Sequence, residues 1–128
     1  MPSVDLNACE ASLREKFLRA RRAYEQANPG MLLRVTATHR AVQEQQVLYA
    51  KGRTAPGRIV TQIDGVKKLS NHNYFPARAI DFCVTVSGKV SWDEADYDVV
   101  GPYMVAEGLV WGGNWPTFKD RPHVELGP

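Results

Sequence analysis

The stretch Ala77-Arg78-Ala79-Ile80-Asp81-Phe82-Cys83-Val84-Thr85-Val86 decides the fold. It is rich in β-branched and aromatic side chains and is closed by Ser87-Gly88-Lys89, so it reads as a central strand that turns tightly into a short strand near Val90. One residue fits such a strand poorly. Asp81 stands between Ile80 and Phe82, and an ionised carboxylate in apolar surroundings is costly unless a cation or several donors compensate it.

Before this strand, residues 7–26 place Leu13, Phe17, Ala20 and Tyr24 at helical spacing with Arg and Glu between them, and Asn28-Pro29-Gly30 stops the helix they predict. Residues 31–38 mix apolar and β-branched side chains as a strand does. Strong helix formers from Ala41 to Lys51 then close at Gly52. Residues 52–73, with Pro56-Gly57 and Asp64-Gly65, carry turn signals and scattered apolar residues, which predicts a long functional loop.

After the central strand, Ser91-Trp92-Asp93-Glu94 has the form of a capping box opening a helix to about Glu107, with Gly101-Pro102 expected to break it into two pieces. Residues 109–111 and 123–126 read as short strands joined through Gly112-Gly113-Asn114-Trp115-Pro116. The simplest architecture is one α+β domain over residues 1–128, with a small antiparallel sheet flanked by helices.

The balance of 16 Lys and Arg against 14 acidic residues, net charge +2, gives no ground for expecting nucleic acid as a partner. No run of about 18 apolar residues occurs, so membrane insertion is not expected either. Cys9 and Cys83 lie far apart and outside any Cys-x-x-Cys spacing; both read as buried free thiols, with a disulfide as the alternative. The N-terminal residues from Met1 carry neither the basic start nor the apolar stretch of a signal peptide.

Histidine occurs only at positions 39, 72 and 123. Two imidazoles and one carboxylate suffice for a catalytic zinc site that leaves a position open to solvent, and His72, Asp81 and His123 could supply them. Asp120, three residues before His123, could then act as the base that activates water and later protonates a leaving amine, while Arg40 could hold a substrate carboxylate or a developing oxyanion. Each residue also has an ordinary reading. Either histidine could be a hydrogen-bonded structural residue, Asp81 an ion-pair partner of Arg78 or Arg40, and Asp120 a turn cap. His39 reads as structural, Trp111 and Trp115 as core or rim packing, and Glu125 as a solvated strand residue.

The order of the segments adds to this. Ser70-Asn71-His72 followed by Ala79-Ile80-Asp81, and the closing Asp120-Arg121-Pro122-His123, resemble the zinc-dependent D-alanyl-D-alanine carboxypeptidase and L-alanyl-D-glutamate peptidase family, the VanY-like group. Likeness continues through Arg40-Ala41-Val42-Gln43-Glu44-Gln45, through residues 48–54 and through Trp111-Gly112-Gly113-Asn114-Trp115, most of all to single-domain bacteriophage endolysins. Ala41 and Asn114 depart from the residues usual there, and the interval from His72 to Asp81 is longer than the common one.

The resemblance implies a VanY-like, Hedgehog-like zinc peptidase fold, one Zn2+ ion on His72, Asp81 and His123, Asp120 as base, Arg40 at the oxyanion or substrate, and Ser70 and Gln45 shaping the substrate pocket. It implies peptidoglycan as the substrate and cleavage of the L-alanyl-D-glutamate bond of stem peptides. A monomer is expected, one that waits in the host cytoplasm and reaches the wall once the membrane is permeabilised. D-alanyl-D-alanine carboxypeptidase activity on the same scaffold is the alternative. A non-catalytic wall-binding module is a third reading, which Asp120 disfavours because a structural zinc site needs no base.

Overall fold

The computed structural model describes residues 2–128. A short 3-10 turn, Leu6–Ala8, leads into α1 (Ala11–Ala27), β1 (Met31–Ala37) and α2 (Val42–Ala50). A long connection without helix or strand then reaches β2 (Ala79–Val86), followed by β3 (Lys89–Ser91), α3 (Glu94–Ala106), β4 (Val110–Trp111), a 3-10 turn at Gly112–Asn114 and β5 (His123–Glu125). The α+β class with a small antiparallel sheet is as expected.

β2 is the spine of the sheet. One edge pairs with β1 from Asp81 to Val86, and the other edge is divided: Ala79, Ile80 and Asp81 pair with β5, and Val84, Thr85 and Val86 with β3. β4 lies outside β5. Side chains alternate across a strand, so this pairing gives the sheet two unlike faces. Ile80, Phe82 and Val84 of β2 and Val124 of β5 enter the hydrophobic core. Asp81, His123 and Glu125 project from the other face.

The core face is covered by the two long helices. Leu13, Phe17, Ala20 and Tyr24 form the buried stripe of α1, at the spacing the sequence predicts, and meet Tyr97, Val100 and Met104 of α3. Burying each large apolar side chain contributes about 1.5–3 kcal/mol, so this stripe rather than helix propensity holds α1 in place. Cys9 and Cys83 are both free and buried, and burial pushes the Cys9 thiol up to about 11.

Two sequence expectations about α3 are corrected. The helix is continuous through Gly101-Pro102. Pro102 is exposed, so water can satisfy the one carbonyl its ring leaves unbonded, and packing on both sides outweighs the lost bond. Gly101 is a contact residue, not a breaker: a Cβ there would lie 2.3 Å from Cε3 of Trp111. The cap is Asp93, whose carboxylate accepts from the Ala95 N–H at 3.0 Å. Ser91 belongs to β3 and donates its hydroxyl to Asp96 at 2.5 Å, so the capping box does not form.

Candidate active site

The pairing of β2 with β5 sets Asp81 directly opposite His123, on the face away from the helices. β1 shifts register between Val35 and Ala37, the residue paired with Asp81, so the ladder is irregular beside the carboxylate. The chain leaving β1 then brings the Thr38 carbonyl to His72. His72 itself sits in the long connection, where its backbone N–H donates to Ser70 Oγ at 3.2 Å and its carbonyl accepts from the Arg40 N–H at 2.8 Å.

His72, Asp81 and His123 thus converge, each offering one ligand atom within 4.8 Å of the others. Asp81 Oδ1 lies 2.9 Å from His123 Nδ1 and 3.2 Å from His72 Nε2. The second contact lacks hydrogen-bond alignment, and His72 Nε2 is a buried polar atom without a partner. Its other nitrogen, Nδ1, lies 2.6 Å from the Thr38 carbonyl and must carry the proton to bond there. The lone pair on Nε2 is therefore aimed into the cluster. A buried, orphaned imidazole nitrogen beside a carboxylate and a second imidazole is the donor set that zinc binds, and the residues fit the ion.

The electrostatics fit as well. Burial would push the Asp81 carboxyl up, but the hydrogen bond and charge of His123 and the close His72 imidazole hold it well below the usual carboxylate range. Burial works against charge on His123, yet the carboxylates of Asp81 and Glu125, with Asp120 nearby, push the imidazole up to about 10. Without an ion, a proton holds this cluster together; a divalent cation takes over that role.

Asp120 Oδ2 stands 3.8 Å from His123 Nδ1. Burial raises its carboxyl, with the charge of His123 opposing. The Trp111-Gly112 turn moulds the segment that carries it: Trp111 Nε1 donates to the Arg121 carbonyl at 2.8 Å, and the Asp120 N–H donates to the Gly112 carbonyl at 3.0 Å. A Cβ on Gly112 would lie 2.1 Å from the Asp120 carbonyl oxygen, so only glycine allows this approach. On the outer side Arg121 pairs with Asp98 at 2.9 Å and with Glu94.

Arg40 reaches the cluster from the start of the α2 segment, with Nη2 3.4 Å from Asp81 Oδ2 and Nη1 donating to Gln45 Oε1 at 2.9 Å. Gln45 lies behind it, 1% exposed, and donates its amide to the Ile63 carbonyl at 2.7 Å and Thr61 Oγ1 at 3.3 Å. Gln45 therefore ties Arg40 to the long connection and does not reach the cavity wall. Arg78 pairs with Glu10 instead of Asp81, and His39 stacks edge-on against Phe75, clear of the cluster.

The cluster opens on a cavity of about 660 Å³ walled by Arg40, Ser70, Asp120, Val60, Leu69 and Phe118 among others. Trp115 lines it too, its ring 5.2 Å from that of His123. A shallower depression of about 680 Å³ over β1, lined by Leu6, Arg21 and Arg34 among others, holds no such ligand group. Two residues were missed from sequence. Glu125 lines the cavity and lies 2.7 Å from His123 Nε2; its spacing of two from His123 on a strand was a legible sign. Asn71, which donates to Glu125 at 2.8 Å, had no such signal.

Fold and site together define an α+β protein with a two-histidine, one-carboxylate metal-binding group open to a cavity and flanked by a further carboxylate. Comparison with known proteins agrees. A family profile described as D-alanyl-D-alanine carboxypeptidase matches residues 64–126, the segment holding the three candidate ligands. The peptidoglycan L-alanyl-D-glutamate endopeptidase CwlK of Bacillus subtilis (strain 168) is 38% identical over 112 residues, 80% of this chain. That match spans 65% of the relative's own length. The crystal structure of Serratia marcescens L-Ala D-Glu endopeptidase ChiX shares the fold, with a TM-score of 0.67 at 22% identity over 95% of this chain and 83% of that one. The chain is thus similar in sequence to a D-alanyl-D-alanine carboxypeptidase profile and to an L-alanyl-D-glutamate endopeptidase, and in fold to a second such endopeptidase.

Proposed function

We propose that this protein is a zinc peptidase that hydrolyses the L-alanyl-D-glutamate bond in peptidoglycan stem peptides. The observation that carries the reading is the buried His72 Nε2, left without a hydrogen bond and directed at Asp81 and His123, with Asp120 beside them. The bond cleaved is taken from the activity printed for CwlK and ChiX.

Zinc held by His72, Asp81 and His123 would supply Lewis-acid polarisation of the scissile carbonyl and make water acidic enough to attack at neutral pH. Asp120 takes the proton of the attacking water on Oδ2 and returns it to the leaving amine. Its burial-raised pKa makes it a better base toward the attacking water, and the protonated carboxyl is still far more acidic than the ammonium formed at the leaving amine, so the return transfer remains downhill. Arg40, oriented by Gln45, presents its guanidinium to the oxygen on which negative charge develops or to a substrate carboxylate. Ser70 holds the His72 backbone and contributes to the wall against which the stem peptide lies.

The matched family profile favours a second reading, D-alanyl-D-alanine carboxypeptidase activity. Digestion of purified peptidoglycan followed by mass spectrometry separates the two. New free amino groups on glutamate are expected; release of D-alanine alone would replace the first reading with the second.

The likeness to single-domain endolysins supports a setting in bacteriophage-driven host lysis, with the protein held in the host cytoplasm until the inner membrane is opened. Among the described residues no helix is long and apolar enough to cross a membrane. Lysis on expression is then expected only when a membrane-permeabilising agent is added. A monomer suits a diffusing wall hydrolase, and light scattering of the purified protein tests this.

A further inference from the structure

Both imidazoles of the cluster use one nitrogen toward Asp81 and the other elsewhere, but in opposite senses. His72 turns Nε2 inward and gives Nδ1 to a neutral backbone carbonyl. His123 turns Nδ1 inward, 2.9 Å from Asp81, and gives Nε2 to a carboxylate, Glu125 Oε1 at 2.7 Å. Strand geometry makes the second arrangement: residues 123 and 125 of β5 project from the same face, so the Glu125 side chain lies alongside the ring.

The carboxylate is itself held. Asn71 Nδ2 donates to Glu125 Oε2 at 2.8 Å, and the Asn71 carbonyl accepts from the Arg78 N–H at 2.9 Å, which pins it near the start of β2. Asn71 immediately precedes His72. One hydrogen bond therefore joins the loop that carries one imidazole to the strand that carries the other. A solvated strand glutamate would have no reason to engage both oxygens this way.

We infer that Glu125, held by Asn71, is a positioning residue of the metal site: it fixes His123 with the proton on Nε2 and the Nδ1 lone pair facing the ion. The inference rests on the zinc reading above. A carboxylate partner also makes the ligating nitrogen a better donor than a neutral carbonyl does, so the two histidines contribute unequally to holding the metal.

The test compares wild type with Glu125→Ala, Glu125→Gln and Asn71→Ala by zinc affinity in chelator competition, with the melting temperature of the metal-free proteins as a check on folding. Nitrogen-15 NMR of the wild-type imidazoles in the zinc form reads the tautomers directly. Expected are a protonated Nε2 on His123, a loss of zinc affinity of about 10- to 100-fold in Glu125→Ala, and a smaller loss in Glu125→Gln, whose amide oxygen still accepts from the ring. Asn71→Ala should fall in the same direction by less. Wild-type zinc affinity in a folded Glu125→Ala protein, or a proton on His123 Nδ1 in the zinc form, would overturn the inference and leave the peptidase reading standing. If Glu125→Ala does not fold, the Gln variant and the wild-type tautomer decide, and undiminished affinity in Glu125→Gln with a Nδ1 proton overturns it. Failure of the wild type to bind zinc would overturn both.

Discussion

Asp81, His123 and Glu125 stand on paired strands, whereas His72, Ser70 and Arg40 are carried by segments with neither helix nor strand of their own. The strand-borne half needs only sheet register and alternation to be assembled: Asp81 faces His123 across the β2/β5 ladder, and the helix-covered core on the opposite face fixes that register. The other half has no ladder. It is held by individual hydrogen bonds, from His72 to Thr38, from Asn73 to the Arg40 carbonyl and from Gln45 to the Ile63 carbonyl. A metal site built this way has a rigid wall and a pinned one, and the two should fail differently when perturbed.

The largest effects should come from the ligands themselves. His72→Ala, Asp81→Ala and His123→Ala should each lose zinc, measured by metal analysis, together with all lytic activity. Loss at His72, with the strand-borne half intact, separates the contribution of the pinned wall from the rigid one. A His72→Ala protein that kept its zinc would remove the loop from the ligand set.

Next in size is Asp120→Ala. Zinc should be retained and turnover should fall by about 10²- to 10⁴-fold, because the base and not the ion is lost. Normal wall lysis by this variant would assign the base elsewhere. Arg40→Ala should cost about 10²- to 10³-fold in kcat, by analogy with other oxyanion donors, with metal content unchanged.

Gln45→Ala sharpens the comparison between halves. It strips partners from Arg40 and the Ile63 carbonyl, each buried group left unsatisfied costing about 1–3 kcal/mol. Hydrogen exchange should quicken across residues 60–73 while β2 and β5 keep their protection. Equal loosening of both would show that the halves are not separable.

The smallest effect is on pH. In the metal-free protein His123 is raised from 6.5 to about 10, so its pairing stabilises the fold fully below about pH 6.5 and is lost as pH rises through about 10. Asp81 is depressed from 3.8, so its contribution is present above about pH 4 and is lost as pH falls through its lower folded value. This pair therefore favours the metal-free fold most between about pH 4 and 6.5. Zinc must displace the His123 proton, which reverses the trend: the rise in melting temperature on adding zinc should grow from pH 5.5 to 8, and calorimetry in buffers of different ionisation enthalpy should detect proton release. A zinc shift independent of pH would contradict it.

Much of this was legible in the chain itself. The stripe Leu13, Phe17, Ala20 and Tyr24 gave α1 because helical periodicity is local, and the misfit of Asp81 in an apolar strand marked the site because burying a charge demands a partner wherever that partner lies. Gly101-Pro102 misled because the outcome depended on the Trp111 ring, which packs against Gly101.

Sequence alone determined the elements, the class of fold and which residues had the chemistry for zinc, since periodicity, turn propensity and ligand type are properties of single residues and their neighbours. Only the tertiary structure decided that Gln45 stands behind Arg40, that Thr38 supplies a carbonyl to His72 and that Glu125 and Asn71 brace His123. The Thr38–His72 and Asn71–Glu125 contacts join residues distant in the chain, the first through a backbone atom that every residue carries, so no pattern of side chains could announce them. The nearer pairs, Arg40–Gln45 and His123–Glu125, were within reach by spacing, but only the packed fold decided that their side chains meet.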